Sequence, residues 1–399
     1  MNIKSFIQYT CIFIKIIKTL LINKNKIKKN CYISLRSSFG HACIEIDWAK
    51  KIYKNDLTFI FINHINKNLF FCYEDLNYFS FETQNEINTS IKHQNKILYF
   101  FIKILLKLFN KKIIHRFKLQ SYSNNPNYNS KILINNNYVS RFNHTGYYNL
   151  LKKDTSIQPR LIDKKINILK SQNIIFHNLL KQPIICVCLR NKKGDYSFNL
   201  SRNSGDNKNY VSLINLFASN GYNVVGIGET NHNAFCGIEN YFPSSSFKEK
   251  ELFEIFVLTY CNFYIGQASG PATIPISRNI PVLLTDVGYY FGTLSNELTL
   301  ILCKKIFNKT TKTIENPINF LRDNSKIIYE DLFYSKNYDL LDNSSDDLIK
   351  AGNIMFEYLS GNSLKLLKSK KYTDDLKINI SNDLDLKFIP GSYPYFYFE

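Results

Sequence analysis

Short apolar runs alternate with longer amphipathic segments along most of this chain. In the C-terminal half, Ile184 to Leu189 reads as a buried strand and Val211 to Ser219 as a helix closed by Asn220-Gly221, with Val224 to Gly228 as the next strand. Glu251 to Tyr260 then reads as a helix and Phe263 to Ile265 as a strand, and Pro281 to Leu284 and Thr299 to Leu302 complete a sheet. Ser345 reads as the N-cap of a last helix, Asp346 to Leu359, stopped at Gly361. The N-terminal half opens the same way, with a strand over Cys31 to Leu35, a loop over Arg36 to His41, a helix over Ala42 to Tyr53 and a strand over Leu57 to Ile62. Strands separated by helices at this spacing predict parallel sheets. The fold class expected is α/β, with two Rossmann-like domains facing a cleft.

Several segments lie outside that alternation. Ile97 to Lys112 predicts a long amphipathic helix, and the Ser- and Asn-rich stretch from Gln120 to Asn137 predicts a loop. Asp163 to Gln182 has helical spacing and ends before Pro183, which suits a bridge between domains. The boundaries that follow are a basic amphipathic segment over 1–30, an acceptor domain over 31–182, a donor domain over 183–362 and a tail over 363–399. The apolar run Ile12 to Ile22 is interrupted by Lys15 and Lys18 and falls short of the roughly 20 apolar residues that span a bilayer. It carries no small-residue cleavage site, so no signal peptide is expected. Two readings of it stand: a helix lying on an anionic membrane surface, or a surface helix packed on the protein.

The most informative stretch for chemistry is Gly266-Gln267-Ala268-Ser269-Gly270, between the strand ending at Ile265 and Pro271. A turn without bulky side chains, at a helix start with proline in its first turn, lets phosphate oxygens approach unpaired amides. Gly266 permits the turn, and Ser269 and Gly270 are the primary phosphate-site candidates. Other polar groups belong to the same sheet edge. Arg190 ends its strand and Arg202 follows in the adjacent loop; an Arg fork grips a diphosphate bidentately. Gly228 and Glu229 end the next strand, where a carboxylate can accept hydrogen bonds from a ribose or base. In the first domain, Gly40 allows close backbone approach and His41, at the helix start, faces the cleft as a base or acceptor contact. Glu45 and Asp47, two apart on a helix, point to different faces and are no carboxylate pair.

Composition changes this picture little. The 399 residues carry a formal charge of +19, with 45% apolar and 15% aromatic residues, which argues for globular folding. The Lys excess comes with an Asn and Ile excess, as in A/T-biased coding, and no zinc-finger, aromatic-interleaved or basic-heptad motif accompanies it. No nucleic-acid partner is therefore expected. The nine cysteines contain no CxxC pair, which points away from a disulfide framework and from a metal site and fits a reducing, cytoplasmic setting. No metal or cofactor is expected.

The run from Ile184 through Ile306 resembles a group of bacterial glycosyltransferases of GT-B architecture, distantly similar to the heptosyltransferases of lipopolysaccharide synthesis. The resemblance rests on the strand ending at Arg190, Ser201-Arg202-Asn203 with Tyr210, Gly221 to Val225, Phe253 to Phe256, Cys261 to Gly266, Ala268-Ser269-Gly270 and Ile301 to Lys305; Gly40-His41 before Ala42-Cys43-Ile44-Glu45 adds an N-terminal match. It implies a nucleotide-sugar donor held mainly by the second domain, without an obligatory metal, and a glycan or lipid-linked acceptor at the inner face of the cytoplasmic membrane. By position, Arg190 and Arg202 become phosphate or acceptor contacts. The chain departs from the family pattern at Cys188, Asn191 and Gly226, where histidine, aspartate and arginine are usual. The alternatives are a nucleotide-sugar epimerase and a catalytically degenerate relative that binds glycans or membranes.

Overall fold

The computed structural model describes residues 3–34, 39–62, 67–73, 76–81, 89–114, 131–134, 137–140, 158–190, 207–287, 296, 298–315, 337–361 and 395–397. The helices are α1 (Ile3–Ile22), α2 (Phe39–Tyr53), α3 (Thr89–Leu108), α4 (Asp163–Gln172), α5 (Ile174–Leu179), α6 (Val211–Ser219), α7 (Lys250–Tyr260), α8 (Thr273–Ser277) and α9 (Ser345–Leu359). The strands of the first sheet are β1 (Asn30–Ser34), β2 (Leu57–Phe61), β3 (Asn77–Ser80) and β4 (Lys112–Ile114), parallel in the order β3-β2-β1-β4. A hairpin of β5 (Lys131–Ile134) and β6 (Asn137–Ser140) follows. The second sheet contains β7 (Ile184–Cys188), β8 (Asn223–Gly226), β9 (Tyr241–Pro243), β10 (Phe263–Gly266), β11 (Val282–Val287) and β12 (Thr299–Cys303). Strands β13 (Lys305–Asn308), β14 (Thr313–Ile314) and β15 (Tyr338–Leu341) form a small antiparallel sheet, and β16 (Tyr395–Tyr397) joins β12 as a parallel edge strand.

Both large sheets are parallel α/β layers buried on two faces, as the strand-helix alternation predicts. The faces follow the period of two along each strand. On β7, Ile184, Cys186 and Cys188 join a central core, whereas Ile185, Val187 and Leu189 join an outer one with α6 and α9. On β1 and β2, Tyr32, Phe59 and Phe61 face the same central core, while Cys31, Ile33 and Ile60 face α1 and α3. The central core also takes Ala42 and Ile46 of α2, Leu169 of α4, Phe176 of α5, Phe253 of α7 and Ile274 of α8. One apolar layer therefore ties the two sheets together. Polar ties at its margin include Arg160 Nε donating to Tyr260 Oη at 2.9 Å and Arg278 donating to the Pro159 carbonyl at 2.8 Å.

Several boundaries shift for physical reasons. The helix expected from Ala42 begins at Phe39, so Gly40 and His41 sit in the first turn of α2 and not in a preceding loop. Asp163 to Gln182 is two helices broken at Asn173, whose extended backbone lets its side chain bond the Leu169 carbonyl and the Lys248 amide. The long amphipathic helix runs from Thr89 to Leu108, and its expected last turn is instead a chain reversal over 109–111 that leads into β4, which pairs with β1. The expected Ser/Asn-rich loop, Gln120 to Asn137, ends in a hairpin: Ile132 and Leu133 within it pair with Val139 and Tyr138 just beyond it, because β-formers lie beneath the polar composition. The last helix is capped one residue earlier than expected, by Ser344, in a reciprocal capping box with Asp347. The segment over 1–30 is a packed part of the first unit: Ile16 and Leu20 of α1 are fully buried beside α3.

Candidate functional site

The strand order of the second sheet is β16-β12-β11-β10-β7-β8-β9. Strand β7 is first in sequence, with β8 and β9 on one side and β10, β11 and β12 on the other. The order therefore reverses between β7 and β10, and a crevice at the carboxyl ends of such a pair is where open α/β sheets bind ligands. Arg190 follows β7, Gly228 and Glu229 follow β8, and Gly266 to Gly270 end and follow β10. Because the strands are parallel and adjacent, these residues share one sheet edge.

The switch point is bridged by one side chain. Gln267 is fully buried; its Oε1 accepts the Arg190 amide at 2.8 Å and its Nε2 donates to Tyr210 Oη at 3.0 Å. Tyr210 in turn donates to Asp286 Oδ2 at 2.6 Å and lies 2.8 Å from Thr285 Oγ1. Asp286 Oδ1 accepts the Asn343 amide at 2.6 Å, and the Asp286 amide donates to Asn343 Oδ1 at the same distance. Asn343 Nδ2 reaches the Cys303 carbonyl at 2.9 Å, which carries the network to β12. Burial pushes the Asp286 carboxyl up to about 6, against the pull of the Lys304 ammonium and the Tyr210 hydroxyl. Burial, with the Asp286 charge beside it, also drives the Tyr210 phenol well above its ordinary range. Asp286 adopts a left-handed backbone, φ 49°, which this paired contact with Asn343 holds in place. Tyr210, Gln267, Asp286 and Asn343 received no role from sequence. Only the polar pair Thr285-Asp286 at the end of an apolar strand could have signalled them.

Next to this network is the small-residue turn. Ser269 flanks a 3-10 turn, Gly270–Ala272, that leads into α8. Among the described residues, the amides of Ala268, Ser269 and Gly270 donate to no acceptor, and Pro271 has none to donate. The turn is half-buried and not sealed. Ser269 Oγ is buried toward the Tyr264 hydroxyl, and neither atom completes a hydrogen bond among the described residues. The amides, not the hydroxyl, are what this turn offers. Gly266 serves packing, since a methyl group there would collide with the Cys188 carbonyl oxygen and press on Tyr264 Oη.

The neighbouring strand end is differently filled. A side chain at Gly226 would run into Tyr241 Oη, which bonds His232 Nδ1 at 2.8 Å. Tyr241 and His232 thus occupy the space beside Gly226, where the resemblance expects a cation, and burial, with the Lys250 charge second, lowers the His232 pKa. Gly228 has a positive φ of 66°, and its amide donates to Glu254 Oε1 at 3.0 Å. Glu229 is exposed. From the first unit, α2 packs against the Gly270–Ala272 turn and α8, which brings the helix carrying Gly40 and His41 beside the second unit's turn. The His41 side chain and the whole of Arg202 lie outside the described residues. Glu45 and Asp47 are both buried: Glu45 Oε2 accepts from Ser34 Oγ at 3.0 Å, and Asp47 pairs with Lys51 at 2.7 Å. Among the described residues no His/Cys/Asp/Glu cluster could hold a metal ion.

No protein-family model matches the chain, and no curated protein matches it. Among solved structures it is similar to the glycosyl transferase family 9 protein from Veillonella parvula DSM 2008, at 11% identity and a TM-score of 0.49, over 84% of this chain and 99% of that one. It is also similar to the E. coli ADP-heptose LPS heptosyltransferase II, at 13% identity and a TM-score of 0.41, over 68% of this chain and 89% of that one. The E. coli heptosyltransferase WaaC with ADP-2-deoxy-2-fluoro heptose overlaps at 10% identity and a TM-score of 0.40, over 68% and 92%. At that degree of overlap these likenesses carry no argument about chemistry.

Proposed function

We propose that this protein is a glycosyltransferase that moves a sugar from a nucleotide-sugar donor to a hydroxyl of a glycan or lipid-linked acceptor. The observation that carries the reading is the run of three amides at Ala268, Ser269 and Gly270 that donate to no acceptor among the described residues, at the switch point and on the same edge as Arg190. A donor's diphosphate is dianionic, and its negative charge grows as the anomeric bond breaks. Fixed N–H dipoles and a guanidinium aimed at that charge stabilise the transition state more than the ground state. Such a site needs no metal.

In this reading the Gln267 clamp fixes the backbone of Arg190, the exposed Glu229 accepts from the donor's ribose or base, and Gly40 and Arg202 are assigned further substrate contacts. His41, in the first turn of α2, is assigned as the base that removes the acceptor hydroxyl's proton as that oxygen attacks the anomeric carbon. The sugar's bond to the diphosphate breaks as the bond to the acceptor forms, and the nucleoside diphosphate leaves on the amides. The test is incubation of the full chain with radiolabelled nucleotide sugars and a mixed glycolipid acceptor fraction. Label transferred to the acceptor, with release of nucleoside diphosphate, supports the reading. An isomerised nucleotide sugar identifies an epimerase instead, and unchanged donors throughout the panel refute catalysis.

A further inference from the structure

Helices α1 and α3 pack side by side on the outer face of the first sheet, where Ile16 and Leu20 of one and Leu98, Ile102 and Leu106 of the other are buried. Burying one stripe normally leaves a polar stripe outside. Here the outside is apolar as well. Phe100 is 58% exposed, Phe101 44%, Ile104 40% and Leu108 72%, and on α1 Ile14 and Leu21 are 57% and 50% exposed. Phe101, Ile104 and Leu108 recur at three and four residues, so they share one side of α3. Phe13 of α1 meets Phe101 edge to face at 5.1 Å between ring centroids, which joins the two helices along that side. A patch of this kind on a monomer marks a docking surface.

Charge decides the occupant. Helix α1 contains Lys4, Lys15 and Lys18, and α3 contains Lys92, Lys96, Lys103 and Lys107; neither has an Asp or Glu. Lys103 and Lys107 stand one turn apart, between the buried stripe and the exposed apolar side. Apolar side chains on two helices whose charged residues are all lysines match the acyl boundary and headgroups of an anionic bilayer, with the helices lying in its plane. Neither helix is long and apolar enough to cross it. We infer that α1 and α3 together form a membrane-docking face selective for anionic lipid. The sequence pointed only to the N-terminal segment. The structure adds α3 and makes the two one surface.

The test is co-sedimentation of the full chain with phosphatidylcholine vesicles with and without phosphatidylserine, at low and high salt. The expected result is binding that requires phosphatidylserine and weakens with salt. The Lys103→Gln/Lys107→Gln pair should weaken binding about fivefold per lysine, roughly 25-fold together. Ile104→Glu/Leu108→Glu should abolish it. Should that second pair misfold by circular dichroism, the lysine pair still decides the matter. Equal binding to neutral vesicles, or no binding to either, overturns the inference. A lipid-free dimer that Ile104→Glu/Leu108→Glu converts to monomer, with no vesicle binding, overturns it in favour of self-association. None of these outcomes depends on sugar transfer.

Discussion

Replacing Asp286 by asparagine tests the buried network directly, because the two side chains match in shape and differ in ionisation. In the folded protein the Asp286 carboxyl titrates at about 6, raised by burial from the 3.8 of an exposed aspartate. The folded state thus holds this proton more tightly than the unfolded chain. The stability this contributes is fully present below about pH 3.8 and is lost as pH rises through about 6. A difference of about two pH units corresponds to about 3 kcal/mol. Lys304 and the Tyr210 hydroxyl already oppose the shift, so it is a net value. The amide of the variant has no such proton to release. Urea unfolding of both proteins at pH 4 and pH 7.5 should show the wild type losing up to about 3 kcal/mol relative to Asp286→Asn across that interval. Half the difference should develop near pH 5. A wild-type-minus-variant difference that does not change with pH refutes the argument that this carboxylate is buried at a cost.

Other substitutions separate the site from the scaffold. Gln267→Leu strands the Arg190 amide and deprives Tyr210 Oη of a donor, and should cost about 1–3 kcal/mol in urea unfolding. It should also raise KM for the donor, because Arg190 loses its tether; an unchanged KM removes Gln267 from the site. Asp47→Ala leaves the Lys51 ammonium, 1% exposed, without its carboxylate, and should cost about 3–5 kcal/mol while KM of the residual folded enzyme stays at the wild-type value. A loss below about 1 kcal/mol would show the pair to be hydrated in solution. Gly266→Ala forces a methyl group onto the Cys188 carbonyl and should lower Tm by several degrees, with the cost of about 1–3 kcal/mol typical of overpacking. A wild-type Tm would mean that β7 and β10 can part there.

The parallel sheets were legible because every central strand is a short apolar run between helical segments. Cys186 and Cys188 pointing one way and Val187 the other is the period of two made visible. The turn at 266–270 was legible as a turn for the same reason, since small residues stand there between a strand and a proline-led helix start. What stayed hidden depends on contacts between distant residues. Gln267 gains its role only because β7 lies beside β10, and Asp286 only because Asn343 folds back upon it from 57 residues away. At Ser269 the side chain turns toward Tyr264, a detail that depends on how β10 packs and that no local pattern announces. Gly226 likewise reads as a lost cation until Tyr241 is seen to fill its space.

The most direct measurement is nuclear magnetic resonance of the full chain labelled with nitrogen-15 at alanine, serine and glycine, titrated with ADP, GDP and UDP. Saturable downfield shifts of the Ala268, Ser269 and Gly270 amides, reduced in Arg190→Ala, are the predicted result. Amide resonances that stay fixed with all three nucleotides would contradict the assignment of this turn as the diphosphate cradle.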